Sequence, residues 1–245
     1  MEVNCAMTRQ EEEKQYQERY GEVPVDYEER LRYMIEKYKV SAHTMDQIIA
    51  KKRNMEFNMQ FFDYKIVELF YPKIKSRPKM RVTRHNYMDV AKANPGFVHV
   101  YTPNAQYDFN SMRRLIGDEL DALHLFIQTP CTVYINVYEP TPSGFSVIDK
   151  FLAEYGLIPS ISDKDYDNYL KNTSDRLNTN LWLDDSLVIS GTVNKLYSEL
   201  PRQEIFIRYL NVIPNKYQYN NVIGRKGYNQ EYPVTYLDKH GEIVL

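Results

Sequence analysis

The stretch Asp163-Lys164-Asp165-Tyr166-Asp167-Asn168-Tyr169-Leu170-Lys171, continued by Asp175-Arg176-Leu177-Asn178 and closed by Leu181-Trp182-Leu183-Asp184-Asp185-Ser186, gathers carboxylates and one lysine around a helical pattern. In an extended segment, residues two apart point to the same side, so Asp165 and Asp167 present two carboxylates together while Tyr166 turns away. A helix beginning near Asn168 puts Lys171, Asp175 and Asn178 on one stripe, sets the Lys171 ammonium one turn above Asp167, and leaves Leu170 and Leu177 for a core. The strand-like run Ser186-Leu187-Val188-Ile189-Ser190 follows, so Asp185 at its start can serve as a third ligand once the helix has brought the chain back. Three carboxylates and a lysine suit Mg²⁺, which keeps several waters and takes few protein oxygens, and they suit phosphodiester hydrolysis. Lys171 would then stabilise the charge of the transition state or orient the attacking water. The same acids also suit ordinary helix N-caps. Asp184 reads as a supporting neighbour or an alternative ligand, Asp175 as a support for Lys171, and Trp182 as core.

Working outward, Thr132 to Tyr138 alternates like a strand, and Pro140-Thr141-Pro142-Ser143-Gly144 forms a loop. Phe145 to Tyr155 reads as a short amphipathic helix with Val147, Ile148, Phe151 and Leu152 on one side, a packing or dimer surface. Further upstream, Lys65 to Phe70 is strand-like, Phe97 to Tyr101 is a short extended piece, and Gln106 to Phe126 keeps a helical period through Met112, Leu115, Ile116 and Leu123. Two N-terminal helices are expected, Tyr27 to Tyr38 and, behind a Ser41 N-cap, Ala42 to Asn54. Lys51-Lys52-Arg53 at the end of the second suits the helix dipole better than a DNA-reading helix-turn-helix.

Charge is unevenly spread behind a net value of −2. Residues 71 to 92 hold seven bases against the single acid Asp89, and residues 139 to 185 hold nine acids against four bases. Opposite patches are what a metal-dependent enzyme acting on a polyanion needs, although an ion-pair network gives the same arithmetic. A 43% hydrophobic content excludes a disordered chain. Cys5 and Cys131 are too few for a disulfide framework, and His43, His85, His99, His124 and His240 lack zinc spacing. No apolar run approaches the roughly 18 residues of a membrane-spanning helix, so a cytoplasmic protein without a membrane partner is expected.

The 164–186 pattern resembles the PDxDNLxK…DAL…W…DDS motif of the RusA-type Holliday-junction resolvases. Lys75-Ser76-Arg77-Pro78-Lys79 is similar to the family's KxRPR loop, and Tyr101-Thr102-Pro103 to its YTP before the long helix. Lys195-Leu196-Tyr197 and Pro201-Arg202-Gln203-Glu204-Ile205-Phe206-Ile207 resemble its closing hairpin. Lys164 stands where the family has Pro and Lys79 where Arg is usual; neither change removes a ligand. The resemblance implies an α+β fold, a small mixed sheet flanked by helices, over 62–210. An N-terminal helical extension (1–61) and a C-terminal extension (211–245) lie outside it. It also implies a homodimer that cuts four-way DNA junctions by paired nicks with Mg²⁺, Mn²⁺ substituting. Asp165, Asp167 and Asp185 would hold the metal, Lys171 would be catalytic, and Lys73, Lys75, Arg77, Lys79 and Arg81 would meet DNA. Such proteins are frequently encoded by phages and prophages. Other readings are a catalytically silent DNA-binding or assembly protein on the same fold, or a flap or fork nuclease.

Overall fold

The computed structural model describes Lys14, Glu18 and residues 26–69, 79–81, 99–101, 105–162 and 165–244. It divides into two compact units, Met1–Arg53 and Asn54–Leu245. Helix α1, Tyr27–Lys37, starts where the Asp26 carboxylate accepts from the backbone N–H groups of Glu28 (2.9 Å) and Glu29 (3.2 Å). Helix α2, Ala42–Asn58, has the expected Ser41 cap, whose hydroxyl accepts from Thr44 N at 3.1 Å. Periodicity therefore located both helices, but the second runs to Asn58 instead of the expected Asn54, so Lys51, Lys52 and Arg53 lie within it and not in its last turn. Their burial is another matter, since Leu31, Met34, Ile35, Ile48 and Ile49 all stay exposed.

After α2 come β1 (Phe61–Glu68), β2 (Lys79–Arg81), β3 (His99–Tyr101), α3 (Ala105–Leu123), β4 (Cys131–Pro140), α4 (Val147–Glu154), α5 (Tyr166–Leu177), β5 (Val188–Ser198), β6 (Arg202–Leu210), α6 (Lys216–Ile223), β7 (Tyr236–Leu237) and β8 (Ile243–Val244). Four strands form a mixed sheet in the order β1-β6-β4-β5, with helices packed on it, so the fold is α+β as expected. Strand β6 runs antiparallel to β1 and β4, and β4 runs parallel to β5. Here the structure corrects the expected closing hairpin, because β5 and β6 are consecutive in the chain but β4 lies between them. The physical reason is β4 itself. Its buried backbone needs partners for its N–H and C=O groups on both edges, and β5 and β6 supply them. A parallel β4–β5 pair in turn requires a long crossover, which the chain supplies as α4 and α5.

The inner face of the sheet is apolar in register: Tyr64, Ile207 and Val133 lie side by side, as do Ile66, Ile205 and Ile135. These residues are buried against Met112, Ile116 and Leu120 of α3 and against Tyr169 and Leu177 of α5. Each such side chain contributes about 1.5–3 kcal/mol by leaving water. The C-terminal segment has its own core, in which Ile213 and Val222 meet Leu183 and Leu187, with Phe126, Tyr219, Tyr228, Val234 and Tyr236 packed around them.

Candidate functional site

Helix α5 carries most of the predicted site, and four contacts fix it to all four strands. Arg176 donates to both carboxylate oxygens of Glu68 on β1, one bond at 2.9 Å, and both side chains are buried. Gln203 on β6 donates to the Thr173 hydroxyl at 2.6 Å. The Tyr169 hydroxyl donates to Glu139 at the end of β4. On β5, Gly191 lies so close that a Cβ there would stand 2.8 Å from a Leu170 methyl group. The helix is thus a fixed platform rather than a loosely docked element.

The N-terminal end of α5 holds the acidic pair. The helix begins at Tyr166, two residues earlier than the spacing predicts, so Asp165 occupies the N-cap and Asp167 the first turn. An anionic side chain is favoured at that end of the helix dipole. Asp165 has the extended backbone of an N-cap, but its side chain makes no capping hydrogen bond; it accepts instead from Asn168 Nδ2 at 3.3 Å. Asp165, Asp167 and Lys171 are exposed, and Lys171 stands four residues beyond Asp167 on the same face.

Beneath this end lies Glu139, which belongs to none of the motifs. It is 2% exposed and accepts from the hydroxyls of Ser160, Ser162 (3.0 Å) and Tyr169. Lys195 of β5 donates to the carbonyl of Ser162 at 2.9 Å. These bonds anchor the segment that leads into Asp165. The one hint in the sequence is an acid continuing the buried side of a strand, where a carboxylate must find donors.

Asp185 lies elsewhere. The chain turns at the C-terminal end of α5, where Trp182 is fully buried as expected and Leu181 N bonds Leu177 O at 2.8 Å. The Trp182 indole N–H donates to Asp185 at 2.9 Å. Along the chain, Asp185 and the Asp165–Asp167 pair thus follow opposite ends of α5. Among the described residues, no group of three or more His, Cys, Asp or Glu is placed to hold one metal ion. The donors present do fit a hard cation: the Asp165–Asp167 pair offers oxygens only, open to water, to an ion that needs few protein ligands. Asp184 is engaged otherwise. It caps the turn at Ser186 (2.9 Å to the backbone N) and pairs with Arg225 at 3.2 Å. The Ser186 hydrogen bonds, side chain then backbone, hold its carboxyl below the usual range, and the Arg225 charge acts in the same direction. Arg225 is thereby tied to the protein. Cys131 faces this region as a buried thiol pushed up to about 12, first by burial and then by the Asp185 charge.

Of the basic loop, Lys73, Lys75 and Arg77 lie outside the described residues. Lys79 and Arg81 are the ends of β2, opposite Tyr101 and His99 of β3. Among the described residues no helix is long and apolar enough to cross a membrane.

Two comparisons bear on this arrangement. The family profile described as endodeoxyribonuclease RusA matches residues 70–208, which include α5, both acidic pairs and the β2–β3 ribbon. A Bacillus subtilis (strain 168) protein, named as uncharacterized protein YqaN, is 35% identical over 115 residues, covering 46% of this chain and 80% of that protein.

Proposed function

Because the chain belongs to the RusA endodeoxyribonuclease family, we propose that it is a Mg²⁺-dependent endonuclease that resolves four-way DNA junctions by paired nicks. The observation that carries this reading is the exposed set Asp165, Asp167 and Lys171 on one end of a helix fixed to all four strands. Asp165 and Asp167 would hold the cation, which when bound lowers the pKa of its water and offsets charge on the scissile phosphate. Lys171, on the same face, is positioned to neutralise the oxygen charge that builds up in the transition state. Asp185 would supply the third carboxylate. The working form would be a homodimer with one such site per subunit. Lys73, Lys75, Arg77, Lys79 and Arg81 would track the DNA backbone.

The test is cleavage of a synthetic four-way junction beside flap, fork and linear duplexes, with Mg²⁺. Symmetric cuts in the junction are expected from the wild type. Asp167→Asn should cut at least on the order of 100-fold more slowly while still binding. Robust cutting by Asp167→Asn overturns the site, and preferential cutting of flaps or forks overturns the substrate.

A further inference from the structure

Helix α4 is held to the protein by Ala153, which is buried, by the half-buried Leu152, and by its polar side chains. Lys150 pairs with Glu199 at 3.1 Å, and Glu154 accepts from the Ser198 hydroxyl at 2.8 Å and from Glu199 N at 2.7 Å. Asp149 is used in a reciprocal capping box with Ser146. Just before the helix, Phe145 sets its ring edge-on to Tyr197, 5.4 Å between centroids. An amphipathic helix ordinarily buries its apolar stripe. Here the charged side is tied down, and Val147, Ile148, Phe151 and Tyr155 point outward. Leu157 and Ile161 prolong that surface along the chain, and all six are between 62% and 88% exposed. The ties to Glu199 and Ser198 prevent the helix from rolling to cover them.

Six large side chains exposed to this degree offer on the order of 700 Å² of mostly apolar surface, more than isolated proteins usually leave in water. It is close to the roughly 800 Å² that each partner contributes to a stable interface. The stripe is also free of charge, because the three charged side chains of α4 are engaged within the chain. It has nothing to offer a phosphate backbone, and no like charges conflict when it meets its own copy across a two-fold axis. Ile161 lies four residues before Asp165, so whatever covers this surface approaches the acidic pair.

We propose that two copies of this chain pair through the outward stripe of α4 and its continuation to Ile161, an interface that adjoins Asp165 and Asp167. The proposal rests on the homodimer in the functional reading above and gives it a surface. Sedimentation equilibrium of the full chain at micromolar concentration tests it. The wild type should be a dimer, and Ile148→Asp/Phe151→Asp should raise the dissociation constant on the order of 100-fold or more without changing circular dichroism, since both side chains are exposed. Ile161→Asp, outside the helix, should weaken the dimer in the same direction. A monomeric wild type overturns the proposal, as does a dimer that neither variant weakens. Junction cutting is read separately: a dimer that cuts no branched DNA keeps the interface and rejects the functional reading, whereas a cutting monomer does the opposite.

Discussion

Asp184 and Asp185 are adjacent in sequence and differ in what their surroundings ask of them. Asp184 is held ionised by Ser186 and Arg225, whereas Asp185 receives one indole N–H. The carboxyl of Asp184 is lowered from its ordinary 3.8, so its stabilisation is complete above that value and is lost as pH falls through the lower folded value. Urea unfolding between neutral and strongly acid pH should show the wild type losing stability more steeply below about pH 4 than Asp184→Asn does. Equal acid slopes would show that the Arg225 and Ser186 contacts contribute nothing. No spacing rule separates the two acids, because the partner that distinguishes them, Arg225, is forty residues away along the chain from Asp185.

At the scale of elements, α5 explains why a short acidic motif is held so firmly. Its buried Arg176–Glu68 pair joins the C-terminal end of the helix to β1. Removing one partner from such a pair leaves a buried charge alone, which costs about 3–5 kcal/mol. Arg176→Ala should therefore lower the melting temperature by roughly 10 °C. Glu68→Gln/Arg176→Met, which removes both charges, should recover most of that loss. A double variant no better than Arg176→Ala would place the effect in lost packing rather than in the stranded carboxylate. The spacing of Leu170 and Leu177 made this helix legible in the sequence. Its start was misread because Asp165 and Asp167, taken as an extended clamp, are an N-cap position and a first-turn acid, where the dipole favours them.

For the whole molecule, net charge averages two unlike regions. The nine acids and four bases between residues 139 and 185 include the proposed metal pair, while the basic excess lies between residues 71 and 92. If that basic segment contacts DNA, replacing Lys75, Arg77 and Lys79 together should weaken junction binding and reduce the slope of log K against log salt by about 2–3, close to one unit per lost phosphate contact. An unchanged slope would remove the segment from the interface.

By itself the sequence determined the helices and strands of the core, the acidic and basic segments and the resemblance that proved to be family membership, because these depend on local periodicity and on residue types close together in the chain. Only the tertiary structure decided that β4 separates β5 from β6, that Glu139 anchors the approach to Asp165, that Asp185 forms no three-acid group with the acidic pair among the described residues, and that α4 turns most of its apolar stripe outward. Each of these is set by partners 20 or more residues away in the chain or by which side of an element finds a bond first. The i, i+3, i+4 pattern of α4 marks an apolar side without saying what will cover it.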